Sequence, residues 1–277
     1  MGMLGFAVAR GAPASRFPVT MTAETASPPP FARWITPFAI LGLWWLASAS
    51  GWLPSTTLGS PQDIARAWWD LIESGQFFDA LLVSLRRVGL GIALGIGLAV
   101  VFGTIVGMSR WGDVLLDPPM QMLKAIPLYG VVPLFIIWFG IGESPKVILI
   151  ALGVMVPLYL SLSAALRGIP RDLVEVTATL RLTRRERVRD LIVPAALPGA
   201  LVGLRLSLAV AWLVLIVSET INADSGIGFI INNARNFLQI DVVVVGLLTY
   251  ALLGIFTDFL VRLLERWALR WDEGPRR

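Results

Sequence analysis

The sequence contains no cysteine and no histidine, and only two lysines, Lys124 and Lys146, in 277 residues. Those absences exclude a thiol nucleophile, a disulfide, a Cys/His zinc site and an imidazole general base near neutral pH. Neither lysine sits in a G-x-x-x-x-G-K-[ST] loop, so the chain brings no P-loop ATPase of its own. Charge is scarce too: Asp, Glu, Lys and Arg make up 15% of the residues, against about 25% in an ordinary soluble domain. The apolar share of 56% is more than one soluble core of this size hides. A membrane protein follows. The net charge of +4 is read as arginine facing anionic lipid and cytoplasm, and nucleic acid is not expected as a partner.

A helix crossing a ~30 Å hydrocarbon layer takes roughly 20 residues. The sequence offers six such spans, at about 34–52, 88–109, 122–142, 146–166, 197–219 and 242–261, with a loop at 167–196. The expected architecture is an all-α polytopic membrane protein. Residues 1–33, with three successive prolines at 28–30, have the composition of a disordered tail, Met21 is a rival start, and 267–277 forms a second tail. Ala47-Ser48-Ala49 resembles a signal-peptidase site, but the apolar stretch before it is too long and too far from the N-terminus for a cleaved leader. With the N-terminus inside, 17 of the 23 basic residues fall on the cytoplasmic side, so both termini are expected there.

Several local patterns carry structural meaning. Gly91, Gly95, Ala99, Gly103 and Gly107 recur every fourth residue, which suits a close helix packing face. Pro127, Pro133 and Pro157 each remove a helix hydrogen bond and predict kinks in the third and fourth spans. Ser60-Pro61-Gln62-Asp63 has the residues of a helix start, leading an amphipathic helix that lies on the outer membrane surface.

The 167–196 loop holds seven arginines and four acids. Pro170 opens a helix with Asp172 and Glu175 in its first turns, where carboxylates suit the helix dipole. That helix should stop near Leu182, because Thr183-Arg184-Arg185-Glu186 matches a capping box. The second helix is expected to end before Pro194 and Pro198. Within the spans, Arg205 is suited either to snorkelling and structural pairing or to the transport path. Trp212 and Glu219 are further path candidates, Glu219 near the outer edge ahead of a re-entrant loop. Asp258, Arg262 and Arg266, at four-residue steps, form an ion-pair ladder on one helix face.

The stretch EVTATLRLTRRERVRDLIVPAALPG, Glu175 to Gly199, resembles the EAA loop of ABC importer permeases, with Val176 and Thr177 in place of two alanines and Arg181 in place of a glycine. GMSRWGDVLLDPPMQMLK, VPLFIIWFGIGES and AWLVLIVSETINADSGIGFIINNARNFLQIDVVVV are similar to the permeases of the sulfonate, taurine and nitrate group, closest to the aliphatic-sulfonate branch. The resemblance covers roughly residues 36–272. It implies the type I ABC importer permease fold and an inner-membrane homodimer bound to two ATP-binding cassette subunits, which hold ATP and Mg, while this chain binds no cofactor or metal. A periplasmic or lipid-anchored binding protein would deliver the substrate. It further implies that Asp172, Leu173, Glu175, Val176, Thr177, Leu180, Arg181 and Thr183 meet the ATPase, and that the pore works by alternating access. Of the three departures Arg181 is the one that bears on the backbone, since a glycine there takes a left-handed turn that arginine adopts at a cost, and a shifted turn is expected. Taurine, nitrate and thiamine-precursor permeases are rivals within the family. A secondary transporter without an ATPase is the rival from another class, against which no inverted repeat of broken helices is evident.

Overall fold

The computed structural model of the chain describes residues 32–52, 54 and 57–271. The expected N-terminal tail up to residue 31, Met21 included, and the last residues of the C-terminal tail lie outside the described residues. Among the described residues, those up to Leu46 belong to one unit and those from Ala47 to a second. The first contributes most of α1 (Ala32–Ala49), which carries Pro37. Every other described element is also helical: α2 (Pro61–Glu73), α3 (Gln76–Met108), α4 (Arg110–Ala125), α5 (Leu128–Phe139), α6 (Glu143–Arg167), α7 (Arg171–Thr179), α8 (Arg184–Arg187), α9 (Val193–Asn222), α10 (Ile227–Asn236) and α11 (Ile240–Ala268).

Four stretches are long and apolar enough to cross a membrane: α3, α6, the continuous run Arg184–Ile221, and α11. α4 and α5 make a fifth if counted as one bent span, and the apolar part of α1, Ile35–Ala49, is shorter. The span expected at 122–142 is thus not one helix. It is the end of α4 and all of α5, bent by 104°. The cause is local: a residue before proline is pushed out of the helical region, and Ile126, before Pro127, is extended at φ −76°, ψ 123°. Pro157, by contrast, stays inside the single helix α6.

A second correction concerns Pro194 and Pro198. The helix starting at Arg184 does not stop before them; a π turn at Val188–Ile192 carries it into α9. In that wider turn the Val193 N–H donates to the Val188 carbonyl five residues back. Pro194 then stands directly after the π turn as the second residue of α9, where its missing N–H removes one rung of the continuous ladder.

α6 is the middle of the second unit, packed between α3 and α9. The small-residue stripe of α3 is its packing face. A Cβ on Gly95 would lie 2.6 Å from the Ala151 carbonyl oxygen, and one on Gly107 would lie 2.6 Å from Leu166. Gly199 of α9 admits Ala165 in the same way. α2 begins as its sequence foretells, with Ser60 Oγ accepting from the Asp63 N–H, and it buries Ile64 and Ala67.

Candidate functional site

Polar chemistry gathers in three places along α9. At the end near Arg167, α7 exposes Asp172, Leu173, Glu175, Val176 and Leu180, while Thr177 turns inward, its hydroxyl donating to the Val174 carbonyl at 2.7 Å. Leu173, Val176 and Leu180 are 44%, 52% and 65% exposed, an apolar edge that the chain itself does not cover. The turn after α7 is a Schellman motif: Leu182 N–H donates to the Thr177 carbonyl and Arg181 N–H to the Ala178 carbonyl. Arg181 sits at the left-handed position with φ 53°. The turn therefore keeps its place, contrary to the expected shift, and arginine carries the backbone conformation that glycine adopts freely.

The capping box forms as expected. Glu186 N–H donates to Thr183 Oγ1 at 3.3 Å, and Thr183 N–H donates to Glu186 Oε2 at 2.7 Å. The Thr183 backbone N–H and then its hydroxyl hold the Glu186 carboxyl below the usual carboxylate range. Just ahead of the loop, Arg167 at the end of α6 pairs with Asp113 and Asp117 of α4, and Tyr159 OH donates to Asp117 at 2.7 Å. The loop is thus fastened at its root and bare at its tip.

Farther along α9, Arg205 is paired: its Nε lies 2.6 Å from Asp258 Oδ1 on α11, and Arg262 holds the other oxygen at 2.8 Å. Trp212 Nε1 donates to Thr257 Oγ1 at 3.1 Å. Arg205, Trp212, Thr257 and Asp258 line one cavity of about 410 Å³ with Leu206 and Leu213. The expected ladder is thus two rungs on α11 plus a strut from α9, while Arg266 faces a different pocket beside Trp267.

Glu219 belongs to neither group. It is 1% exposed, and its carboxylate accepts from Ser84 Oγ, Arg87 Nη1, Gly228 N–H and Tyr250 OH at 2.7–2.9 Å. Arg87, also 1% exposed, donates through Nε and Nη2 to Glu143 and through Nη1 and Nη2 to the carbonyl and hydroxyl of Ser225. Lys146 completes the set, 3.4 Å from Glu143. Arg87, Lys146 and Glu219 are buried while Glu143 is exposed, so the cluster matches the Arg87–Glu219 pair inside the protein, as charges taken out of water require, and reaches the surface at Glu143. The sequence reading places Arg87 just outside a span beginning at 88; α3 in fact starts at Gln76. A signal was present: Arg87 stands four residues before Gly91, in phase with the small-residue stripe.

A helical bundle of apolar spans, with a polar two-helix loop at one end and a buried ion cluster at the other, defines a polytopic transport subunit. The chain belongs to the family of binding-protein-dependent transport system inner membrane components, whose profile matches residues 91–270. It is 45% identical over 241 residues to the aliphatic sulfonates transport permease protein SsuC of Escherichia coli (strain K12), covering 87% of this chain and 92% of that one. Against the SsuC of Bacillus subtilis (strain 168) identity is 40% over 237 residues, covering 86% of each. The taurine transport system permease protein TauC of Escherichia coli (strain K12) is 30% identical, covering 84% of this chain and 86% of that one. Among solved structures, a chain of an amino acid ABC transporter crystallised with histidines shares the fold, with a TM-score of 0.59 at 16% identity, covering 72% of this chain and 97% of that one. The MetNI methionine ABC transporter in an inward-facing form gives 0.51 at 18%, covering 70% and 96%. The fold is that of type I ABC importer permeases.

Proposed function

We propose that this chain is the permease subunit of an ATP-driven importer of aliphatic sulfonates, working as a homodimer by alternating access. Two ATPase subunits supply hydrolysis from the cytoplasmic side, where both termini lie, and a binding protein delivers substrate at the Glu219 end. The observation that carries this reading is the α7 edge. Asp172, Glu175, Leu173, Val176 and Leu180 stand exposed on a short helix, and α8, π turn and α9 run on from its capping box into a span. An apolar edge beside two carboxylates suits a groove on a soluble partner, and the sequence has no P-loop of its own.

Sulfonate as cargo rests on the two SsuC relatives, which share more identity with this chain than TauC does. The path is assigned to the Arg205–Trp212 cavity. The Arg205 side chain is 40% exposed, so an anionic headgroup can share it with Asp258. Glu219, already saturated by four donors, is assigned no contact with cargo.

Replacing Glu175 with Arg should weaken ATPase association at least tenfold, equivalent to about 1.4 kcal/mol, with the thermal stability of the permease unchanged. Co-purification and binding titration in detergent measure this, and uptake persisting without any ATPase would sink the reading. Growth of a deletion strain on alkanesulfonate, taurine or nitrate as sole sulfur or nitrogen source identifies the cargo; a defect confined to nitrate would overturn sulfonate.

A further inference from the structure

We propose that Arg87, which touches neither cargo path nor loop, is the positioning residue for the receiving face of the importer. It acts by holding the Ser225–Gly228 turn and, through it, α10. This inference rests on the importer reading above, which places the Glu219 end where the binding protein docks.

The turn does not hold its own shape. Its polar groups are satisfied by side chains from α3 and α9: Ser225 carbonyl by Arg87, Ile227 N–H by Ser84 Oγ, and Gly228 N–H by Glu219. Its backbone is of a kind that few residues adopt, with Gly226 at φ 102°. A Cβ on Gly226 would stand 2.6 Å from Arg87 Nη1 and 2.6 Å from Glu219 Oε1, so turn and ion cluster fit only together. α10 starts at the next residue and buries Ile227, Ile231 and Ala234. With α2 and the start of α11, α10 lines a groove of about 450 Å³ that contains Asp70, Gln76, Asn233, Gln239 and Asp241. Beside it, Phe237 and Leu238 stand 71% and 83% exposed. The direction of α10 sets Asn233 in the groove and Phe237 and Leu238 at its end, and the guanidinium that fixes its start is itself buried out of reach of any partner.

Within the cluster, contacts to the turn and contacts elsewhere can be separated. Ser84 and Arg87 both bond the turn, whereas Glu143 bonds Arg87 and Lys146 but not the turn. A positioning role therefore predicts that Arg87→Lys and Ser84→Ala share a phenotype that Glu143→Gln lacks. In the complete importer reconstituted in vesicles, uptake is measured against the concentration of loaded binding protein. Arg87→Lys and Ser84→Ala should raise the half-saturating concentration about fivefold or more, with maximal uptake and basal ATP hydrolysis within twofold of wild type. Glu143→Gln should leave half-saturation in place. Three variants that differ only in thermal stability, or Glu143→Gln shifting half-saturation as far as Arg87→Lys, would overturn the proposal. If Arg87→Lys does not fold, Ser84→Ala alone decides: an unchanged half-saturation refutes the role. A wild-type importer that the binding protein fails to stimulate would overturn the importer reading as well, whereas normal stimulation unaltered in Arg87→Lys and Ser84→Ala overturns this inference alone.

Discussion

At Glu219 four donors converge on one buried carboxylate, whereas at the Thr183 end of the same helical run Asp172, Glu175, Arg184, Arg185 and Glu186 lie exposed. The first arrangement binds the chain to itself. Its charges were removed from water and must be matched by the chain, so each member constrains the others. The second leaves Glu175 and the edge formed by Leu173, Val176 and Leu180 without cover from the chain. An edge of that kind contributes little to the stability of one protomer and is available to a partner. The buried charges thus sit at one end of the Arg184–Ile221 run and the uncovered edge on α7, just ahead of its other end.

The comparison breaks first, and hardest, at Arg87. Arg87→Met leaves Glu219 buried without its cation and should cost about 3–5 kcal/mol. Adding Glu219→Gln should recover more than half of that loss. Thermal unfolding of the purified permease measures both, and a double variant no more stable than the single one would contradict the ion-pair account. Gly226→Ala comes next: it adds a Cβ to the crowded space beside Arg87 and strains a positive φ, so a loss of about 2–3 kcal/mol is expected in the same assay. The smallest effect has the opposite sign and lies at the exposed end. Arg181→Gly relieves the left-handed turn after α7 and should stabilise the chain by about 0.5–1 kcal/mol. Any loss of stability there would show that the arginine side chain supplies a compensating contact.

What could be read from the sequence follows the reach of each interaction. The Thr183–Glu186 capping box and the Ser60 cap bridge only three residues, and both stand where the spacing put them. The stripe from Gly91 to Gly107 was legible because helical periodicity alone places it on one face, although its partner α6 was not. Two prolines misled in opposite directions. Pro127 breaks a span where a kink was expected, and Pro194 is absorbed by a π turn where an end was expected. Proline removes a hydrogen bond in both cases, and the surrounding turn decides the rest. The Arg87–Glu219 pair spans 132 residues, and no periodicity announces a contact of that kind. Arg205 was read with structural pairing and cargo contact both open, and Asp258 on α11 supplies the pairing.

The continuity of Arg184–Ile221 has a mechanical meaning. At 1.5 Å per residue, its 38 residues make a rod of about 57 Å with the bare loop at one tip and the ion cluster at the other. Pro194 and Pro198 delete two rungs of its ladder next to the π turn, so the rod is least stiff near the loop. A displacement at Thr183 therefore meets a wrist within about the first four turns, and beyond that wrist a single backbone leads to Glu219.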